Sequence, residues 1–145
     1  MSIETSAERR QKNIETFRTM LHHLGRKEFD LCKQYLTPDL VSDWPYPPVP
    51  DFPEQLETST ELMRVIREGS AEFDPFDYQI TQIYELVDPD KLVVEYYSRS
   101  NYRPKNRTYS NKYLGIFHFR EGKVSYWREY VNPETIRQAM LDFAA

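Results

Sequence analysis

The run Tyr126-Trp127-Arg128-Glu129-Tyr130 places a carboxylate among aromatic side chains in a segment patterned as a β-strand. Strand side chains alternate between two faces. Ser125, Trp127, Glu129 and Val131 therefore share one face, and Val124, Tyr126, Arg128 and Tyr130 share the other. If the first set faces the interior, Glu129 sits beside Trp127 in an apolar wall. Burial disfavours the charged form of a carboxyl and brings its pKa toward neutrality, where it can serve as a general acid or base. The competing reading is that Glu129 pairs with an arginine and holds the sheet edge. In the preceding run, Tyr109, Asn111, Tyr113, Gly115, Phe117 and Phe119 share a face. Asn111 and Tyr113 are placed to hydrogen-bond a substrate oxygen or Glu129, with Tyr109 beside them. Alternatively these tyrosines are core residues with satisfied hydroxyls.

Further candidates lie elsewhere. Glu95 shares a strand face with Val93, Tyr97 and Arg99. It is either a second pocket carboxylate, with Tyr97 as a contact, or one half of a cross-strand salt bridge. His22 and His23 end the first helical run. Tandem residues on a helix point about 100° apart, so at most one faces inward. One of them is a candidate proton-transfer partner; the alternative is exposure or ordinary capping at a helix C-terminus. His118, between Phe117 and Phe119, is expected to face away from the interior, toward a dimer contact. Trp44, Tyr46 and Phe52 ride on a proline-rich segment from Trp44 to Pro53. Proline fixes φ and removes donors, so the segment reads as an ordered flap rather than helix or central strand. Its rings either close over an aromatic ligand or plug the core.

Composition narrows the function classes. The chain has 145 residues and a net charge of −4, with 19 basic and 23 acidic side chains. That balance argues against nucleic acid as the main partner, since phosphate binding calls for a basic face. No apolar run approaches the roughly 20 residues of a membrane span, and the N-terminus lacks a signal pattern. A cytoplasmic protein without membrane association is the expectation. Three scattered histidines give no metal signature. Four glycines and the lack of a phosphate loop or Gly-x-Ser-x-Gly elbow leave no dinucleotide, Walker or hydrolase motif. No metal and no cofactor are expected. Cys32, the single cysteine, reads as a small core residue.

The elements that must position these residues follow from periodicity. Thr5 and Glu8 fit a capping box, and Ile14, Phe17, Leu21 and Leu24 recur at helical spacing before Gly25. A second helix is predicted from about Lys27 to Leu36, stopped by Thr37-Pro38-Asp39, and a third from Thr60 to Glu68, capped by Thr58 and Glu61. Four strands follow, Tyr78–Val87, Leu92–Ser98, Tyr109–Phe119 and Lys123–Val131, with a loop from Ser100 to Asn106 and a tight turn at Glu121-Gly122. Asn132-Pro133 opens a last helix whose apolar face is Ile136, Met140 and Phe143. Helices first, then a hairpin-linked meander, then a short helix define one α+β domain over residues 1–145. A curved, mostly antiparallel sheet wrapped on the first helix would enclose a cone.

This order resembles the NTF2-like superfamily, and the local sequence resembles its SnoaL-like branch over almost the whole chain. Arg9-Arg10-Gln11-Lys12-Asn13-Ile14-Glu15-Thr16-Phe17 is similar to that branch's opening helix. Tyr109-Ser110-Asn111-Lys112-Tyr113, Arg120-Glu121-Gly122-Lys123-Val124 and Trp127-Arg128-Glu129-Tyr130-Val131-Asn132-Pro133 are most similar to the phenazine-biosynthesis A/B proteins. The resemblance implies the cone fold, a homodimer, and cofactor-free acid–base chemistry in which the family's functional glutamate falls on Glu129. The family's partner histidine falls near Val65, a departure that speaks against the phenazine condensation itself. The expected function is a cofactor-independent lyase or isomerase acting on a small aromatic or polycyclic hydroxy or carbonyl compound, a lignin-derived diaryl compound being one example. The alternatives are a polyketide-cyclase or phenazine-type condensation protein and a non-catalytic small-molecule-binding protein. Fold cannot choose among them.

Overall fold

A computed structural model describes residues 3–141. Helix α1 (Ser6–Gly25) starts where the capping box placed it: Glu8 N–H donates to Thr5 Oγ1 at 3.0 Å, and Thr5 Oγ1 donates to Glu8 Oε1 at 3.2 Å. Its inner side, including Ile14, Phe17, Met20, Leu21 and Leu24, is buried. Helix α2 (Phe29–Lys33) is shorter than periodicity predicts. Strands β1 (Leu36–Asp43) and β2 (Gln55–Leu56) come next, then helix α3 (Ser59–Gly69), capped by Thr58. Strands β3 (Asp77–Glu85), β4 (Lys91–Tyr102), β5 (Arg107–Arg120) and β6 (Lys123–Val131) follow, and helix α4 (Pro133–Met140) ends the described chain. The expected contribution of Phe143 to α4 lies outside the described residues.

The six strands form one sheet in the order β2-β1-β6-β5-β4-β3. All neighbours pair antiparallel except β1 with β6, which run parallel. The meander β3 to β6 is therefore as predicted, and the α+β architecture is an NTF2-like cone. The second helix was expected to reach Leu36, and β1 and β2 were not anticipated. Thr37-Pro38-Asp39 reads as a helix stop, and a proline argues against a central strand. Here Pro38 is exposed and falls within the irregularity of the β1–β6 ladder between Leu36 and Val41, so its missing N–H interrupts no paired stretch. β4 also runs on to Tyr102, so the expected loop from Ser100 shrinks to a 3₁₀ turn at Arg103–Lys105. Glu121 (φ 51°) and Gly122 (φ 79°) supply the two positive φ angles of a two-residue hairpin turn.

The inner sheet face packs on α1. Phe17 and Phe117 rings meet at 4.6 Å, and both side chains are fully buried. A bulge at Ser125 changes one predicted face. Phe119 pairs with Val124 while His118 pairs with Tyr126, so Val124 turns inward to join Trp127 instead of following Tyr126. Beyond the bulge the predicted alternation of β6 holds. Gly115 sits opposite Glu129 and beside Val94. A Cβ there would lie 2.4 Å from the Phe117 ring and 3.2 Å from Tyr96. The absent side chain is what lets these rings converge beneath Glu129.

Candidate active site

A cavity of about 460 Å³ opens where the inner sheet face meets three other elements. Strand residues Tyr78, Tyr109, Tyr113, Trp127, Glu129 and Val131 line one side. The proline segment contributes Trp44, Pro48, Val49 and Phe52, and the end of α3 contributes Val65 and Ile66. Ile136 and Met140 of α4 add to the lining. The proline segment packs on the body of the domain. Trp44 is buried with its ring edge-on to Phe52 at 4.7 Å, whereas Tyr46 is 62% exposed and leans on Tyr130 at 6.1 Å.

Glu129 is half-buried and lines this cavity. Burial pushes its carboxyl up to about 7, and hydrogen bonds from Tyr96 and Trp44 hold it back from rising further. The Tyr96 hydroxyl donates to Glu129 Oε2 at 2.6 Å. Among the described residues no cation offsets the burial, because Arg128 points to the opposite face. There its guanidinium donates to Asp43 through Nε at 2.8 Å and Nη2 at 3.1 Å. A carboxyl balanced near neutrality beside an open cavity can either take or give a proton.

Three phenols sit near it. Tyr96 and Tyr113 stack at 5.0 Å, and Tyr78 packs against both at 6.0 and 5.9 Å. The Tyr113 hydroxyl meets Ser98 Oγ at 2.7 Å in a buried contact. Burial and the Glu129 charge push Tyr78 well up, while hydrogen bonding with Tyr113 draws it down. Tyr109 is raised by burial too, and hydrogen bonds with Asn111 and Tyr113 lower it. Tyr78, Tyr109 and Tyr113 line the cavity and stay neutral, so they present hydroxyls that suit a carbonyl or hydroxyl oxygen on a ligand. Trp127 contributes its ring to the wall, and its indole N–H is buried.

The structure thus brings Glu129, Tyr113, Tyr109, Trp127 and Trp44 together, and it moves the other candidates elsewhere. Asn111 is not part of the lining. Its amide donates to Tyr109 Oη at 2.9 Å and to the Asn132 carbonyl at 3.0 Å, while its oxygen accepts from Lys112 N–H. With both protons engaged it orients Tyr109 and has none left for a substrate. His22 is exposed, and His23 contacts Glu28 at 3.1 Å and stacks on Tyr35 at 6.0 Å. Both fall off the buried stripe of α1, so neither replaces the family's imidazole. Val65, where that imidazole is absent, does line the cavity. Glu95 and Tyr97 lie on the outer sheet face, where Glu95 does not line the cavity and, among the described residues, forms no salt bridge but accepts from Tyr84 Oη at 2.7 Å. Tyr46, as noted, faces outward. His118 is on the outer face beside Tyr126, at 4.8 Å.

Tyr78 and Tyr96 were not among the sequence candidates. The signal for Tyr96 was its alternation with Leu92, Val94 and Ser98, all buried. Val93 and Tyr97 on the other face gave nearly the same pattern, so periodicity alone did not choose the face. Cys32 is a buried thiol pushed up to about 12 by burial, an unreactive core residue. Among the described residues, no helix is long and apolar enough to cross a membrane.

The chain matches the SnoaL-like domain family over residues 17–127, and it belongs to that family. It is 19% identical over 129 residues to the uncharacterized protein YesE of Bacillus subtilis, covering 89% of this chain and 87% of that one. Among solved structures it is similar to a B. subtilis protein provisionally named an isomerase, with a TM-score of 0.80 and 18% identity, covering 89% of this chain and 92% of that one. It is also similar to a phenazine biosynthesis-related protein of Pseudomonas aeruginosa, with a TM-score of 0.71 and 18% identity, covering 97% and 92%. At these identities the likeness is one of fold.

Proposed function

We propose that this protein is a cofactor-independent acid–base enzyme, a lyase or isomerase, acting on a small aromatic hydroxy or carbonyl compound. The observation that carries this reading is Glu129: a carboxyl at about 7, without a cationic partner among the described residues, lining an aromatic cavity of about 460 Å³. That volume lies in the range of roughly 300–1,000 Å³ common for small-molecule sites. Glu129 takes a proton from the ligand and can return it at another atom, which gives isomerisation. If a bond to oxygen or carbon breaks instead, the same transfer gives elimination. Tyr113, with Tyr109 and Tyr78 beside it, holds the ligand oxygen whose charge develops as the proton leaves. Tyr96 keeps the carboxyl oriented from behind. Diaryl compounds of lignin type fit this description by size and polarity.

A purely structural Glu129 would be paired with an arginine above a cone filled by side chains. The open cavity and the diversion of Arg128 to Asp43 weigh against that reading. The condensation chemistry of phenazine-type relatives lacks its imidazole here, since Val65 occupies the expected place. The decisive experiment is turnover of a panel of aromatic ketones and benzylic alcohols by the wild type and by Glu129→Gln. Gln keeps the shape and removes the acid. Retention of wild-type turnover by that variant on any processed substrate would overturn the reading.

A further inference from the structure

We infer that the cavity rejects anions: its ligand is uncharged, and an analogue of the same shape bearing a carboxylate, sulfonate or phosphate is refused. This deepens the proposed function by naming the charge class of the substrate. It rests on the cavity being the ligand site but not on what Glu129 does to the ligand.

The first observation is the charge of the wall. Three acidic residues line the cavity, Glu68, Glu72 and Glu129, and among the described residues no lysine, arginine or histidine does. The chain carries 19 lysines and arginines, so this is not scarcity. Three basic side chains bonded to residues of the rim are committed to other partners. Lys27 Nζ donates to the carbonyls of Ser70, at 2.7 Å, and Phe73. Arg103 donates to the carbonyls of Phe73, at 2.7 Å, and Ala71. Arg64 bridges Glu61 and Glu68 at 2.7 and 3.1 Å. Lys27 and Arg103 thus hold the rim segment by its backbone and Arg64 is tied to carboxylates, and among the described residues none of the three lines the wall.

The second observation concerns backbone dipoles. Anion sites are commonly built at helix N-termini, where unpaired N–H groups point at the ligand. Here α1 contributes Leu24, next to its last residue, and α3 contributes Val65, Ile66, Glu68 and Gly69, toward its end, while α4 contributes Ile136 from its first turn as well as Met140, its last residue. Two helices thus bring their C-terminal turns, the negative ends of their dipoles, to the cavity. The first turns of α1 and α3 contribute nothing to the lining.

The third observation is what remains for recognition. The donors in the wall are neutral phenol hydroxyls, those of Tyr78, Tyr109 and Tyr113. Neutral donors suit a ketone, ether or alcohol oxygen. They do not compensate the desolvation of a full negative charge in an aromatic enclosure.

The test uses the intact chain and two probes of matched shape, 2-acetonaphthone and 2-naphthoate, titrated near neutral pH by calorimetry. Both tryptophans of the chain, Trp44 and Trp127, line the cavity, so their emission reports whether the heat comes from this site. The ketone is expected to bind and change the emission. The carboxylate is expected to bind at least about tenfold more weakly, because like charges repel strongly through a medium of low effective dielectric. In Val65→Lys, which puts an ammonium in the wall, the preference should narrow or invert. Naphthoate binding within about threefold of the ketone in the wild type, or failure of the ketone to bind, overturns the proposal. Turnover plays no part in this readout, so failure of the proton-transfer reading and failure of the charge class are separable.

Discussion

Two carboxylates flank strand β6, one on each face, and they behave oppositely. Burial pushes Asp43 up, but hydrogen bonds from Arg128 and Tyr126, together with the Arg128 charge, more than offset it and leave Asp43 below the ordinary carboxylate range. Burial also pushes Glu129 up, and here the hydrogen bonds of Tyr96 and Trp44 offset only part of the effect. The two ladder positions are adjacent: Asp43 pairs with Arg128, and Arg128 precedes Glu129. What separates the two groups is one alternation of the pleat. It sends the guanidinium to one face and leaves the other carboxyl with neutral donors. The outer carboxylate is held in an ionic tie; the inner one has a carboxyl raised to about 7.

That contrast can be broken most forcefully at Glu129. Glu129→Gln should lower kcat by about 100- to 10,000-fold, the range for removal of a general acid or base, with little change in ligand affinity. Steady-state kinetics beside calorimetric binding check this. The second effect is on stability. In the folded chain Glu129 titrates near 7, above its ordinary 4.5, so the folded state holds this proton more tightly than the unfolded one. Its contribution is complete below about 4.5 and is lost as pH rises through 7, by up to about 3 kcal/mol. Urea unfolding of the wild type should show this decline between acid and alkaline pH, and Glu129→Gln should not.

Smaller effects sharpen the comparison. Tyr96→Phe removes a bond that favours the charged form, so the pH profile of kcat/KM should shift its Glu129 limb upward, with activity falling roughly tenfold. A merely structural Tyr96 would change stability without moving that limb. On the outer face, Asp43→Asn breaks the ionic tie and should cost about 1 kcal/mol in denaturant unfolding while leaving kcat and its pH profile in place.

Reading the sequence reached the face of β6 correctly because its two sets differ in kind: Trp127, Glu129 and Val131 against Tyr126, Arg128 and Tyr130. Likewise Tyr109 and Tyr113 were legible from the strict alternation of β5, whose inward residues are all buried. β4 was not legible in the same way. Its two faces carry similar rings, Tyr96 inside and Tyr97 outside, and the decision belongs to the register with β5, which sets Tyr96 opposite Tyr113. Asn111 shows a different limit. Its position inside the sheet was correct, but its role depends on the Asn132 carbonyl and the Tyr109 hydroxyl, groups that only the folded chain brings to one amide.

By itself the sequence determined the helix starts, through Thr5, Thr58 and Asn132, and the β3 to β6 meander. It also fixed the pairing of Glu129 with Trp127 on one face. These are local properties, set by hydrogen bonds within a turn and by the period of the backbone. The tertiary structure alone decided that β1 joins β6 in parallel across Pro38, and that both histidines of α1 miss the cavity. It also decided that Tyr78 and Tyr96 close on Glu129 while Arg128 is drawn away to Asp43. Those outcomes depend on contacts between residues far apart in the chain, and the protonation of Glu129 is their sum.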